Sequence, residues 1–328
     1  MATAPPPNPF PLSAFHVAYE RCLALESAAP SLQALPDCPP PVICARLLGH
    51  LLRLSPAGNP RGRVQREIAL ATDGVTLMKL AGHYMSNFIK AFKRSNGPTP
   101  APSEHPSRPS SLDAREYTMT LMKDSGIDHG TARTHICPLL CKFYRPFPED
   151  VRVGGFRRLE AVHIIPQAIN RNIGEEGTKQ SRSASVWSVL GMFTEVDLFE
   201  LLAGRLIHRL ENIMMLQYEC HAVFDDLVLW LKPVEGAQDT YSVHSAHPKV
   251  KGALGIPDTV HFSTTTGYPL PHPALLSLHA LCCEVAWMSG AAEYIMDIER
   301  RMDQTRVLAN DGSNADVLVK ALALVGTY

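Results

Sequence analysis

The sequence predicts an α+β fold, and three observations predict it. Apolar residues recur with helical spacing through residues 13–95, in AFHVAYERCLALES, VICARLLGHLLRL and VTLMKLAGHYMSNFIKAFKR. From the middle of the chain the apolar runs shorten to strand length, in RRLEAVHIIP, ENIMML and LVLWLKP. Helical periodicity then returns in LPHPALLSLHALCCEVAWMSGAAEYIMDIERRMDQ.

Taken in order, residues 1–95 read as an α-helical N-terminal region whose helices are punctuated by Pro and Gly. Residues 96–111 are dominated by Pro and Ser, and a solvated linker is expected there. A module over 112–250 follows. It opens with a helix from Leu112 to Lys123 and continues into a strand at ICPLLCKFY, then the three strand-length runs. Between the second and third of these four lies SASVWSVLGMFTEVDLFELLAG, long enough for one or two helices, so a helical insertion is expected at about 171–205. TYSVHS and TVHFS read as further strands. Residues 251–328 form a C-terminal extension expected to pack on the module through one long helix, with Pro271 and Pro273 at its start, where a missing amide proton costs little.

A chain of 328 residues with 45% hydrophobic and 19% charged side chains can bury a full core. The N-terminal stretch has neither a basic start nor a continuous apolar segment, and no run approaches the roughly eighteen apolar residues of a membrane span. An intracellular protein, nuclear or cytoplasmic and not secreted, with no membrane partner, is therefore expected. Eight cysteines scattered through so large a chain read as free thiols of a reducing compartment. A formal net charge of -1 creates no global field for a polyanion, so a nucleic-acid site must rest on local basic groups.

Three pieces carry chemistry: Glu160 to Pro166 (EAVHIIP), Glu211 to Leu216 (ENIMML) and Cys220 to Asp225 (CHAVFD). They read as strand, strand and short helix. On the first strand His163 shares a face with Leu159, Ala161 and Ile165, which shields its ring from water in part. A helix starting near Tyr218 sets His221 and Asp225 four residues apart on one face, the spacing at which two side chains can share a metal. Phe224 would anchor that helix to the sheet. Phosphodiester hydrolysis needs an activated water and charge neutralisation on the phosphate, which a neutral histidine and a divalent cation supply together. His163 is the candidate base, because imidazole alone has an unperturbed pKa near working pH. His221, with Asp225, is the candidate metal site. Asn212, opening the second strand, is suited to fixing the connecting loop or orienting the base.

The ordered combination AHIIP, N-hydrophobic-x-L and HxxFD resembles the H, N and H of the HNH nucleases. SEHPSRPS, LPHPALLSLHA, SGAAEYI and LANDGS extend the likeness over most of the chain to a family of fungal HNH-domain proteins. The resemblance implies a ββα-metal fold and a metal-dependent endonuclease in which His163, Asn212 and His221 are the site residues. It also implies a divalent cation, magnesium first and manganese or zinc as alternatives, and a nucleic-acid substrate, DNA ahead of RNA. Arg157 and Arg158 are candidates for phosphate contact.

The sequence departs from that pattern at three places. Val162 stands where many HNH nucleases carry an Asp ligand, so Asp225, or failing it Glu160, must compensate unless the cation is bound by fewer protein ligands and more waters. The His163–Asn212 spacing is long, and Cys137 and Cys141 lie in an atypical entry segment. A ββα scaffold kept as a binding or regulatory module, with weak or lost hydrolysis, is the alternative reading. A zinc site from Cys137, Cys141 and Cys220 beside His221 lacks the paired CxxC spacing such sites use. His279 and Trp287 read as packing groups of the C-terminal helix.

Overall fold

Helix α1 (Ala14–Ala28) starts where the Ser13 side chain accepts a hydrogen bond from the His16 amide, satisfying one of the free donors of the first turn. The structure, a computed structural model, describes residues 2–93, 159–170, 178–264 and 268–304. The chain divides into two units. One comprises 1–97, 171–199 and 281–328, the other 98–170 and 200–280. The expected linker at 96–111, the helix at 112–123 and the strand at ICPLLCKFY lie outside the described residues.

In the first unit α2 (Pro41–Leu54) buries Leu47, Leu48, Leu51 and Leu52, a stripe at three- and four-residue spacing that faces the core. Helix α3 (Asn59–Leu70) buries Pro60, Val64 and Ile68, one per turn. The α1 residue Arg21 donates to the Ile68 and Ala69 carbonyls at 2.8 and 2.9 Å and also to that of Ala71, occupying acceptors that the end of α3 leaves open. Helix α4 (Gly74–Tyr84) is opened by a reciprocal cap between Asp73 and Thr76. It widens into a π turn over Met85–Ile89, where Asn87 Nδ2 donates to the His83 carbonyl at 3.0 Å.

Helix α5 (Thr178–Gly191) buries Trp187, Val189 and Leu190. Just beyond it, the Phe193 ring lies 4.8 Å from that of Phe88. The C-terminal segment read as one long helix is two: α9 (Pro273–Ser289) and α10 (Ala291–Gln304), bent by 78°. The break is at Gly290, whose φ of 83° suits glycine, and a Cβ there would meet the Ala2 side chain at 3.0 Å. Apolar periodicity continues across the bend because both helices bury a face, which is why the pattern alone reads as continuous. Among the described residues, no single helix is long and apolar enough to cross a membrane.

The second unit holds the sheets. Strands β1 (Leu159–His163) and β2 (Ile213–Gln217) pair antiparallel with His163 opposite Ile213 and Leu159 opposite Gln217. Helix α7 (Tyr218–Asp225) follows β2 without a linker and packs on both strands. Between β1 and β2 the chain includes α5, the short helix α6 (Leu198–Leu202), and 3-10 turns at Gly204–His208 and Leu210–Asn212. Strands β3 (Leu229–Pro233), β4 (Thr240–Ser245) and β5 (Thr259–His261) form a second antiparallel sheet. One face of this sheet buries Leu229, Leu231, Tyr241, Val243 and Val260, and Trp230 on the other face is buried as well. Helix α8 (Pro248–Leu254) joins β4 to β5 and ends at Gly255 with φ of 65°. The mixed α+β architecture agrees with the sequence reading. The C-terminal extension is divided, however, with 251–280 in the second unit and 281–328 in the first.

Candidate functional site

Strand β1 stops at His163, and the backbone beyond it is held by a single side chain. Asn212 is fully buried. Its Oδ1 accepts from the Ile165 amide at 2.8 Å, while Nδ2 donates to the Ile165 carbonyl at 3.0 Å and the Ile207 carbonyl at 2.9 Å. Its own carbonyl accepts from the Ile164 amide at 2.9 Å and prolongs the β1–β2 ladder by one bond. An amide is the side chain suited to this task, since it offers acceptor and donors together at a position where unmet backbone groups are costly. Of the two roles expected for Asn212, the geometry shows the clamping of the connecting loop.

His163 is half-buried at the end of β1. Its Nε2 lies 3.0 Å from His208 Nδ1, and the two rings, 5.1 Å apart and inclined at 66°, meet edge-on and are not stacked. Burial, reinforced by the nearby His208 and His221, lowers the His163 pKa to about 4. The imidazole is thus neutral throughout the neutral range, the state a proton acceptor needs. Neighbouring side chains on a strand alternate in direction, and Val162 is buried in the core where His163 is not. A carboxylate at position 162 would face the core in this arrangement.

Helix α7 carries the second histidine. His221 Nε2 lies 3.0 Å from Asp225 Oδ2, the four-residue pairing expected from their spacing. The helix is fixed from behind by Phe224, which is buried and stacks on the His279 ring at 3.8 Å with the planes 8° apart. His279 is itself buried and hydrogen-bonded to the Phe224 backbone, and burial drives its pKa down to about 3. It is therefore a neutral packing group, as its place on the C-terminal helix suggested. The same helix start is tied to the β2 entry, because the His272 amide donates to the Glu211 carbonyl at 2.8 Å.

Among the described residues no group of three His, Cys, Asp or Glu side chains is arranged to hold a metal. The imidazole of His221 and the carboxylate of Asp225 do converge, and they are the candidate ligands. Such a pair could contribute one nitrogen and one oxygen ligand to a divalent cation whose remaining positions are filled by water, and by itself it falls short of the four-ligand cage of structural zinc. Cys220 is buried, and Cys137 and Cys141 lie outside the described residues, as do Arg157 and Arg158. The Glu160 side chain is also outside them. Of the other basic residues near the motif, Arg205 and Arg209 are exposed, and Arg209 pairs with Glu211 at 2.8 Å.

Sequence reasoning missed His208. Its partner is forty-five positions away, and the IHRLEN context has no periodic or motif signal that sets it apart from a surface histidine. Comparison with protein-family models, characterised proteins and solved structures finds no match for the chain.

Proposed function

We propose that the chain is a divalent-metal-dependent endonuclease of the HNH type, with magnesium as the preferred cation and DNA ahead of RNA as substrate. One observation carries the reading: a neutral His163 ends β1, the paired His221 and Asp225 lie on the helix that directly follows β2, and Asn212 clamps the backbone beyond His163. His221 and Asp225 would hold the cation. When bound, it would supply charge neutralisation for the phosphate and the departing oxygen. His163 takes a proton from the attacking water at a ring nitrogen, a role its low pKa keeps open at neutral pH. Asn212 keeps the His163 backbone in place, and Phe224 with His279 keeps α7 in place.

The test is cation-dependent nicking of supercoiled plasmid by the full chain and by His221→Ala. Activity that needs magnesium in the parent protein and is lost in the variant supports the reading, whereas equal activity with and without magnesium contradicts it.

A second reading, a scaffold that binds without cleaving, is favoured by the buried Val162, which offers no ligand beside His163. Calorimetry separates the two. Saturable magnesium or manganese binding that depends on His221 belongs to the nuclease, and its absence to the binding module.

A further inference from the structure

We propose that His208 is a positioning residue for His163, its Nδ1 accepting the proton on His163 Nε2 and so leaving the lone pair on His163 Nδ1. The inference rests on reading His163 as the base.

One hydrogen lies between His163 Nε2 and His208 Nδ1, which are 3.0 Å apart, so there are two arrangements. If His208 donates, His163 Nε2 is spent as acceptor and its Nδ1 carries the remaining proton of the neutral ring. No lone pair is then left to take a proton from water. If His163 donates, its Nδ1 lone pair stays open in the ring plane, on the side away from His208. Only the second arrangement is compatible with a base. It also follows the charge through the step. Water loses its proton to His163 Nδ1 as its oxygen bonds to phosphorus and the bond from phosphorus to the departing ester oxygen breaks; that oxygen keeps the electron pair and takes up a proton from solvent, and the ring becomes an imidazolium. The Nε2 proton stays on His163, and its bond to His208 strengthens because the donor is now charged.

The backbone gives independent support. The Asn212 amide binds Ile165, two residues after His163, and Ile207, directly before His208. One buried side chain thus fixes the segments that present both rings, and the 3-10 turn at Gly204–His208 is closed by the Arg209 amide donating to the Leu206 carbonyl at 3.0 Å. A chance meeting of two surface histidines needs no such brace.

The test compares the full chain with His208→Ala, His208→Asn and His163→Ala in magnesium-dependent plasmid nicking, and reads the His163 tautomer from nitrogen-15 imidazole spectra. His208→Ala is expected to lower kcat by about 10- to 100-fold with little change in KM, the usual effect of removing an outer hydrogen-bond partner. Its His163 signal should change from the Nε2-protonated form to a tautomer mixture. His208→Asn, whose Oδ1 can replace Nδ1 as acceptor, should restore both. If the alanine variant fails to fold, His208→Leu, which keeps side-chain bulk and has no acceptor, replaces it with the same expectations. An unchanged tautomer or an unchanged kcat in the disrupting variant overturns the proposal. Loss of the base assignment reads differently: His163→Ala then nicks like the parent, while the tautomer still responds to position 208.

Discussion

Replacing Asn212 tests the frame on which the site depends. In Asn212→Ala, three buried backbone groups lose their partners together: the Ile165 amide, the Ile165 carbonyl and the Ile207 carbonyl. An unsatisfied buried polar group costs about 1–3 kcal/mol, so even at the lower bound the variant loses about 3 kcal/mol. Asn212→Asp is the sharper perturbation, because size and shape are kept and only Nδ2 is exchanged for oxygen. At neutral pH the carboxylate faces two carbonyls it cannot donate to, and the loss should match or exceed that of alanine. Acid partly relieves it. The buried Asp has a folded pKa raised above its unfolded value, so the defect is fully present at high pH and shrinks as falling pH protonates the carboxyl. Urea unfolding at pH 7.5 and pH 5 reads both effects as midpoint shifts. An Asn212→Asp protein as stable as the parent at pH 7.5 would refute the clamp.

Two further outcomes concern other parts of the chain. Burial holds His50, His163 and His279 below their ordinary pKa, at about 4, about 4 and about 3. The unfolded chain therefore binds more protons between roughly pH 6.5 and 4, and stability is complete above that window and falls within it, by about 2–3 kcal/mol per histidine by pH 4.5; stability that is flat from pH 7 to 4.5 contradicts these assignments. Gly290→Ala should destabilise by at least about 1 kcal/mol, since alanine is strained at a φ of 83° and its Cβ would press on Ala2, and a thermal midpoint equal to the parent's would contradict that.

What the sequence makes legible is what local pattern controls. Thr240–Ser245 alternates buried and half-exposed side chains over most of its length, and Tyr218–Asp225 begins where the reading placed a helix, because period and length act within a few residues. The His221–Asp225 pairing is equally local. The remainder depends on partners distant in the chain. Residues 171–199 join the N-terminal helices in one unit while the segments on either side of them join the other, an interleaving that no single segment encodes. The His163–His208 contact closes a loop through that interleaved stretch, and the stacking of Phe224 on His279 brings together residues more than fifty positions apart. Asn212 is legible as a residue of interest from its motif, but its three hydrogen bonds to Ile165 and Ile207 depend on a close approach of two segments that periodicity does not describe.

The most direct measurement of the central claim is magnesium-dependent nicking of supercoiled plasmid by the full chain beside His163→Ala, with both proteins shown by urea unfolding to be folded. With the neutral ring at the end of β1 proposed as the proton acceptor, cleavage by the parent protein and its loss in the variant are expected. Equal cleavage by the two proteins would contradict it.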